Sequence, residues 1–459
     1  MNSIKKSGSG KIALLLFMVS TVVVPRALWP VEMGLEDVRR AAITASPEMK
    51  KLEMNKQSLA LEKMAYYFKY IPSLSASVSA SYAPFAEIQT NALDRLNAGG
   101  ELSINATINI FDGGKSKIER ENLALRDSTL DVETQARFFA ILEEADTRYF
   151  NSLEAKAAIA TAELQAEISA LAMETAEIRR AGGILSPSDY FLALANKSAA
   201  DSSLASALTN YSLTQRRLEQ LIGSAESVDL LALDFEDYEE LLNTIAQWTM
   251  EKITDLFLTL KEGLSSRSPS LKSAYITLKR AENDYSLTKS AFLPSLDLSA
   301  SFNLGYRFAS RSATDPFSYG ASVTLSGKIP LNYWTLINSE QRQQNSLESS
   351  RVDYENTLAA FDIELQSLLF TLAGNAQTLL ANRRQAEYSA LLLEQQQELF
   401  RLSSVSMATF LDAASRSLSS ETQKTRAEFT FLRSLSALKS LGAFGDEELV
   451  SLLGEPLSP

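Results

Sequence analysis

The stretch "IPSLSASVSASY", residues 71–82, alternates serine with an apolar residue over ten positions. Serine occupies one parity, and the other parity carries leucine, alanine, valine and tyrosine. A strict period of two predicts a β-strand with one polar and one apolar face. The polar face is small and uncharged, and the apolar face lacks the bulk of a typical core. The surroundings of these two faces therefore decide the fold.

The same stretch occurs twice in the chain. A segment that begins "SPEMKKLEMNKQ" at Ser46 is repeated without a gap as "SPSLKSAYITLK" from Ser268, and "LPSLDLSASFNL" (293–304) is the second serine strand. Each copy opens with a helical segment, residues 35–70 and 253–292, which ends before a proline because the residue before proline disfavours the helical conformation. A repeat of this length indicates a duplicated domain rather than a solenoid.

A second alternating run follows each serine strand, "ELSINATINIF" (101–111) and "YGASVTLSGKI" (319–329). Long runs without Gly or Pro come next, at 115–181 and 375–441. Because the two strongest helix breakers are missing, we expect long helices there, and a continuous helix of that length reaches about 100 Å. The sequences "AGGILSPSDY" (181–190) and "RLSSVSMATFLDA" (401–413) indicate tight turns after which the chain runs back.

The composition excludes several kinds of function. The chain has no Cys and no His, which excludes thiolate and imidazole metal sites, disulfides, a Cys-linked lipid anchor and Ser-His-Asp catalysis. The formal net charge is -12, and no dense basic stripe is present, so we expect no nucleic-acid partner. We also expect no cofactor.

The N-terminus has the layout of a secretory signal. Lys5, Lys6 and Lys11 precede the apolar run "IALLLFMVSTVVV" (12–24), which is too short for the ~20 helical residues that span a bilayer. The cleavage site is not a clean A-x-A, so its position between residues 20 and 34 stays open. A short anchor helix is the alternative to a signal peptide.

These features divide the chain into five parts. We expect a signal peptide at 1–27, a first repeat at 28–222 with strands at about 73–83 and 101–111, and an acidic segment at 223–249. A second repeat at 250–442, with strands at about 295–305 and 319–329, precedes a C-terminal tail at 443–459. The predicted fold class is mainly α with membrane β, built from duplicated α-β-β-α-α repeats.

The four strands suit a membrane better than an ordinary half-buried sheet, which remains the alternative. Each strand is about 11 residues long, and ~9–11 residues cross a bilayer as a tilted strand. Aromatic residues flank the strand ends as an interfacial girdle would; they are Tyr66, Tyr67, Phe68, Tyr70, Tyr306, Phe308, Phe317, Tyr319, Tyr333 and Trp334. Four strands cannot close a barrel, since the smallest membrane barrels use about eight. Several chains must therefore share one barrel, and three chains would supply twelve strands, although two or four are not excluded.

The chain resembles the TolC-type outer-membrane efflux proteins from about residue 35 to 442. The resemblance rests on the duplicated layout, on "PSLSASVSASY" and "PSLDLSASF" after helices, on "NIFDGGKSKIE" (109–119) and on "LDA" (411–413). It implies a homotrimer with a shared transmembrane β-barrel and a long periplasmic α-helical barrel. It also implies partnership with a periplasmic adaptor protein and an inner-membrane transporter, contact with outer-membrane lipid, and a passive duct for efflux or type I secretion.

The resemblance further implies a constricted periplasmic mouth at the two far turns. The family pattern places Gly183, Asp189 and Ala193 in the first turn, and the same offsets give Ser403, Thr409 and Ala413 in the second. A basic residue that the family often has in the second turn is replaced by Val405. The remaining gate candidates are Asp189, Asp412, Thr409 and Arg401, with Arg179 and Arg180 as further basic residues. For Asp189 the alternative is a cap of the helix that follows Pro187.

Three further polar or glycine-rich features can be interpreted as structural or as functional. We expect a lumen-facing position for the polar strand residues Ser75, Ser77, Ser79, Asn105, Asp297 and Ser299. Gly113 and Gly114 suit a strained exit from strand to helix, because no phosphate-loop motif accompanies them. The acidic run at 226–240 suits solvated surface more than a cation site.

The leading hypothesis is a passive channel and not an enzyme. The chief alternative is a structural coiled-coil protein of the cell envelope without a conduit. Four strands with separate polar and apolar faces disfavour that alternative, since a coiled-coil scaffold has no need of them. An enzyme is a third possibility, and no aromatic-lined globular domain is left to hold its active site.

Overall fold

The computed structural model describes residues 31–83, 97–224, 226–307, 317–402 and 404–454. The expected signal peptide, Phe308, Ser403 and the last five residues of the chain lie outside these ranges. Within the described part of the chain, no helix combines the length and the apolar character needed to cross a membrane.

The two halves of the chain have the same order of long helices and paired strands, which confirms the predicted α-β-β-α-α repeat. The first half contains β1 (Val31–Met33), α1 (Leu35–Ala45), α2 (Pro47–Tyr67), β2 (Ser73–Ala83), β3 (Asn97–Phe111), α3 (Lys115–Ala181) and α4 (Pro187–Ile222). The linking segment contains β4 (Val228–Leu230) and α5 (Glu239–Ala246). The second half contains α6 (Met250–Ser265), α7 (Pro269–Ser290), β5 (Ser295–Arg307), β6 (Phe317–Lys328), α8 (Tyr333–Arg401), α9 (Met407–Gly442) and α10 (Asp446–Gly454).

The opening helical segment of each copy is two helices and not one. Ser46 accepts a hydrogen bond from the Met49 N–H and caps α2, whose first residue is Pro47. The equivalent Pro269 is the first residue of α7 and follows a break after α6. Proline suits the first turn of a helix because its missing N–H has no partner there. The Ser-Pro pair therefore starts the second helix of each segment.

The long helices match the predicted runs in the first copy and differ in the second. Helix α3 has 67 residues and occupies the run without Gly or Pro. Helix α8 has 69 residues, passes through Gly374 and ends at Arg401, so the run 375–441 is divided between α8 and α9. A glycine costs about 1 kcal/mol relative to alanine in a helix, and the packing of so long a helix outweighs that cost.

The four main strands form one antiparallel sheet in the order β2-β3-β5-β6. The central pair, β3 and β5, joins the two copies along the whole strand length, with a bulge between Asn109 and Phe111. Strand β3 begins four residues before the expected residue 101, and β5 continues two residues past the expected 305. The outer sides of β2 and β6 have no partner strand among the described residues.

Helix α2 and the short turn at Phe68–Tyr70 that follows it are linked to α3 by a ladder of ion pairs. The exposed pairs are Lys56–Asp131, Lys63–Asp127, Lys69–Glu119, Glu62–Arg126 and Glu48–Arg137. Helix α3 also contacts α7 near the sheet and α4 and α9 further away, and α8 contacts α7 and α9. The helices therefore lie side by side, with α2 and α4 at one margin and α8 at the other.

The main apolar core lies where the small elements surround the middle of the long helices. Strand β1 pairs with β4 in parallel, and α5, α6 and α10 pack against α1, α3, α8 and α9. Fully buried side chains here include Tyr149, Leu242, Leu369 and Phe431. The acidic segment and part of the expected tail thus belong to a packed belt around the helices.

The exit from β3 into α3 needs glycine. Gly113 and Gly114 have φ angles of 72° and 88°, a conformation that other residues rarely adopt. A Cβ on Gly113 would lie 2.8 Å from the carbonyl oxygen of Ser290 at the end of α7. The close approach of two backbones therefore fixes the strand-to-helix junction.

Candidate functional site

The polar residues of the four strands form one continuous face. Residues paired across an antiparallel sheet point to the same side, and the pairing places polar residues opposite one another in successive rows. These rows are Ser73–Thr107–Ser299–Thr324, Ser75–Asn105–Ser301–Ser322, Ser77–Ser103–Asn303–Gly320 and Ser79–Glu101–Gly305–Ser318. The six strand candidates of the sequence analysis, Asp297 included, all lie on this face. We call it the polar wall.

The charged residues of the polar wall lie toward its two ends. The Asn109 side-chain amide donates a hydrogen bond to Asp297 Oδ1 at 2.6 Å. Lys328 is paired with Ser295, and Asp297 is paired with Ser326, so Lys328 and Asp297 are diagonal neighbours. Glu101, nearer the other end, accepts a hydrogen bond from Ser103 Oγ at 3.2 Å. The middle rows carry only hydroxyl, amide and glycine positions.

The opposite face of the sheet is apolar and uncovered. Its rows are Leu74–Ala106–Ala300–Val323, Ala76–Ile104–Phe302–Ala321 and Val78–Leu102–Leu304–Tyr319. Val78 is 82% exposed and Val323 is 74% exposed. A contiguous apolar surface of this kind marks a site of contact with lipid or protein.

Aromatic side chains lie at both ends of the sheet. Tyr66, Tyr67 and Tyr70 are grouped at the end of α2, and Phe292 stacks on Tyr333 with ring centroids 6.5 Å apart. At the far end, Tyr306 contacts Phe317 with centroids 4.9 Å apart. The structure thus places the described members of the expected girdle in two bands along the strand direction.

The gate candidates of the first far turn make local contacts. Ser186 Oγ accepts a hydrogen bond from the Asp189 N–H at 3.1 Å and donates one to Asp189 Oδ2 at 2.8 Å. The capping residue of α4 is therefore Ser186, and Asp189 supports that cap. In the second turn, Ser406 Oγ accepts from the Thr409 N–H at 3.2 Å, so Thr409 occupies the equivalent place at the start of α9.

Asp412 has a partner that the sequence analysis missed. Arg416 Nε donates to Asp412 Oδ2 at 2.8 Å, and both side chains are exposed. The spacing of four residues on a helix is the signal that could have identified this pair. Arg401 is the exposed last residue of α8. Within the described part of the chain, no hydrogen bond or ion pair joins any of the four gate candidates to the other far turn.

An apolar cluster joins the two far turns instead. Its buried members, which we call the tip cluster, are Ala172, Met173 and Ala176 of α3, Ala193 of α4, Phe400 of α8, and Met407, Phe410 and Leu411 of α9. Val405, at the position where a basic residue was expected from the family resemblance, packs against this cluster. The tip cluster is hard to predict from the sequence, because its members come from four different helices.

Two aromatic contacts with arginine accompany the tip cluster. The rings of Phe400 and Phe410 stack with centroids 4.8 Å apart and planes 9° apart. The Arg179 guanidinium lies 5.3 Å from the Phe400 ring centroid, and that of Arg180 lies 4.0 Å from the Tyr190 ring centroid. The two arginines noted in the sequence thus bind aromatic faces in the described structure.

A buried ionic network stabilises the belt. The Arg39 guanidinium donates to both carboxylate oxygens of Asp146 at 2.6 and 2.7 Å, and Ser436 Oγ donates to Asp146 at 2.7 Å. Burial opposes the charged form of Arg39, but the bonds to Asp146 and the nearby Asp446 raise its pKa above the ordinary value. This network ties α1 and α10 to the long helices α3 and α9.

A second carboxyl in the long helices is perturbed by burial. Burial raises the pKa of the Glu428 carboxyl, and Lys424 and Arg383 only partly offset the rise. Arg383 lies between Glu428 and Glu239, 3.4 Å from each, and its guanidinium is 4.7 Å from the Phe235 ring centroid. Among the described residues, no group of three or more acidic side chains is arranged to hold a metal ion.

Comparison with known proteins gives a structural match over most of the chain and a sequence match over its second half. The sequence profile of the outer membrane efflux protein family matches residues 262–442. The first half of the chain lies outside this match, so the sequence match is narrower than the resemblance from residue 35 to 442. No curated protein matches the sequence.

Several solved structures share the architecture over both halves. The Campylobacter jejuni CmeC outer membrane channel has a TM-score of 0.73 at 14% identity, with 92% of this chain and 85% of that chain covered. The open state of the Neisseria gonorrhoeae MtrE outer membrane channel has a TM-score of 0.69 at 17% identity, with 89% and 88% covered. The outer membrane protein VceC from Vibrio cholerae has a TM-score of 0.68 at 14% identity, with 92% and 97% covered. The second half of this chain is thus similar in sequence to the outer membrane efflux protein family, and the chain as a whole shares the fold of these solved outer-membrane channels.

Proposed function

We propose that this chain is the outer-membrane channel of a tripartite efflux pump or a type I secretion system. In this proposal three copies form one passive exit duct across the outer membrane and the periplasm. The observation that carries it is the sheet, which has a continuous polar wall, an uncovered apolar face and two open edges. The family match over residues 262–442 supports the same function.

The open edges of the sheet call for other copies of the chain. In lipid every backbone N–H and C=O needs a partner, so no open strand edge persists there. The unpaired backbone N–H and C=O groups of β2 form hydrogen bonds with β6 of a neighbouring copy, and the same contact repeats around a ring. Three copies of a four-stranded sheet give twelve strands, an even number above the minimum of about eight.

The helices support the same interface between copies. We call this interface, at which β2 of one copy meets β6 of the next, the seam. Leu61 of α2 is 67% exposed at one margin of the helical layer, and Ile363 and Leu391 of α8 are 69% and 67% exposed at the other. Burial of such side chains yields roughly 25 cal/mol for each Å² removed from water. A ring that joins β2 to β6 also brings α2 and α4 of one copy toward α8 of the next.

The duct is wet on the inside and passive. The polar wall faces the water-filled lumen, and the apolar face contacts outer-membrane lipid. At the far mouth, Asp189 and Asp412 of three copies line the opening. Arg416 compensates the charge of Asp412, so the acidic ring is weaker than the Asp residues alone would make it. The transported substrate is then selected by the pump and not by the duct.

The far turns are the proposed docking site for the periplasmic adaptor. Ile184 is 82% exposed, Phe191 is 65% exposed and Leu402 is 66% exposed. These side chains lie on or beside the tips of the two long hairpins, at the end remote from the sheet. An adaptor that covers them connects the duct to an inner-membrane transporter, as the family resemblance implies.

The direct test is extraction of the protein from outer membranes in detergent, followed by mass measurement and planar-bilayer recording. We expect a trimer that forms ion-conducting channels. A monomer that is soluble without detergent and shows no conductance would overturn the proposal and favour a structural coiled-coil protein.

A further inference from the structure

A cavity of about 690 Å³ lies in the belt, where α1, α3, α5, α9 and α10 meet. Most of its lining is apolar, and the apolar lining residues are Leu35, Phe150, Leu241, Leu432, Leu435 and Leu449. The volume falls within the ~300–1,000 Å³ of pockets that hold small organic molecules. We call this space the belt cavity, and its lining suits a ligand with a large apolar part.

The buried cations of the belt cavity are neutralised within the chain. Arg39 donates to both carboxylate oxygens of Asp146, which also accepts a hydrogen bond from Ser436. Lys439 Nζ donates to Asp446 Oδ1 at 2.6 Å. Two cations thus face two carboxylates, and this part of the lining has no net charge left for a ligand.

Two further carboxylates leave the belt cavity with an excess of negative charge. Glu36 and Asp237 belong to the lining, and both are exposed. The lining therefore has four carboxylates against two cations, a net charge of -2. Glu36 also contacts Arg39, whereas Asp237 forms no hydrogen bond or ion pair with any residue that the structure describes. A cation is attracted to this site and an anion is repelled from it.

Tyr238 adds an aromatic side chain to the lining beside Asp237. Cations are attracted to the face of an aromatic ring. Burial raises the pKa of the Tyr238 hydroxyl, so the phenol stays neutral and its oxygen can accept a hydrogen bond from an ammonium group. The carboxylate and the phenol together suit a cationic head at the end of an apolar molecule.

We propose that the belt cavity binds an organic cation with an apolar body. The apolar body lies among Leu35, Phe150 and Leu435, and the cationic head lies between Glu36 and Asp237. The cavity is formed within one chain, so this site does not depend on the proposed channel. Because the lining comes from α1, α3, α9 and α10, a bound ligand joins the belt to the long helices and stabilises the folded chain.

Binding is measured with ethidium, a planar organic cation whose fluorescence rises in apolar surroundings. The full chain is placed in phosphatidylcholine nanodiscs, which carry no net charge, and empty nanodiscs give the background. We expect saturable binding that the anion 1-anilinonaphthalene-8-sulfonate does not displace. Asp237→Asn should weaken binding about fivefold, the factor that corresponds to ~1 kcal/mol for an exposed charge contact. Glu240→Gln, which removes an exposed carboxylate outside the lining, should not change it.

A second variant tests the space inside the cavity. Ser451 lines the cavity and is exposed, so Ser451→Trp fills part of it without altering a buried residue. We expect this variant to lose ethidium binding and to keep the thermal midpoint of the ligand-free parent. Saturating ethidium should raise the midpoint of the helical circular dichroism signal in the parent, because a ligand of the folded state stabilises it. The midpoint of Ser451→Trp should not respond.

Several outcomes would overturn the proposal. These are a parent without saturable ethidium binding, displacement of ethidium by the anion, and binding that is unchanged in both Asp237→Asn and Ser451→Trp. Binding that appears only after removal of residues 455–459 would show that the end of the chain fills the cavity, and would overturn the proposal as well. If Ser451→Trp lowers the ligand-free midpoint, Asp237→Asn and its Glu240→Gln control decide the result.

Discussion

Arg416 neutralises Asp412 from one helical turn away, through a 2.8 Å contact within α9. The pair lies just beyond the turn that joins the two long helices of the second repeat. An acidic residue that looks isolated in the sequence is thus half of an exposed intrahelical ion pair. Such pairs contribute well under about 1 kcal/mol to stability, so their effect lies in the electrostatic field at the mouth.

Removal of Arg416 should make the duct more cation-selective. Arg416→Gln leaves three unpaired Asp412 carboxylates in the proposed ring, and such a ring attracts cations. The reversal potential in a KCl gradient should shift toward the potassium potential, with no change in thermal midpoint. Lys424→Gln, which removes a cation from a similar pair with Glu421 on the same helix, is the matched control and should shift it less.

Lysine should be tolerated on one face of β6 and excluded from the other. Val323 lies on the apolar face and Ser322 on the polar wall, one residue apart. Val323→Lys places a charge toward lipid at a cost of about 2–4 kcal/mol per chain near the bilayer centre. We expect Val323→Lys to abolish trimer insertion, measured by membrane fractionation, and Ser322→Lys to insert and conduct. The reverse pattern would show that the lumen lies on the other face.

The buried pair of Arg39 and Asp146 should be critical for the belt. The Asp146 side chain is 1% exposed, and its loss removes the buried partner of Arg39, which keeps only the more exposed carboxylates of Glu36 and Asp446. Breaking a buried pair in this way costs about 3–5 kcal/mol. Asp146→Asn should lower the thermal midpoint of the helical signal strongly, whereas Asp229→Asn, which breaks the half-exposed pair with Lys156, should change it little. Equal shifts in the two variants would argue against a structural network at Arg39.

Glu428 should make the protein less stable as pH rises. Its pKa is raised above the ordinary value of 4.5, so the folded state favours the neutral carboxyl. The corresponding stability is fully present below the unfolded pKa and is lost as pH rises through the folded pKa. Glu428→Gln should flatten the thermal midpoint between about pH 4 and pH 7. Glu394→Gln, which removes an exposed carboxylate on α8, should retain the parent slope.

The sequence predicted those parts of the fold that depend on local periodicity. The alternation of serines such as Ser75 with apolar residues such as Val78 predicted strand β2 and its two faces. The run without Gly or Pro predicted both end residues of α3. Gly374 lies inside α8 although glycine disfavours helices, because packing along a helix of 69 residues outweighs one unfavourable position. The Ser-Pro pairs were visible, but their role as starts of α2 and α7 required the preceding helix to end, which tertiary contacts decide.

The far turns were located from the sequence, but their chemistry was not. Asp189 and Thr409 stand out as polar residues, and they make only local capping contacts in the described structure. The junction between hairpins depends on Ala172, Phe400 and Phe410, which look like ordinary core residues in the sequence. Their proximity follows from the way α3 crosses to α9, and no single-sequence pattern encodes such a contact.

The open edges of β2 and β6 have a genetic consequence. In the proposed function every ring needs three intact chains, so a defective copy that still assembles inactivates each ring that contains it. In a cell that makes equal amounts of normal and defective chain, only about one ring in eight would contain three normal copies. Substitutions that damage the duct but spare the seam should therefore behave as dominant, whereas substitutions that destroy the seam should behave as recessive.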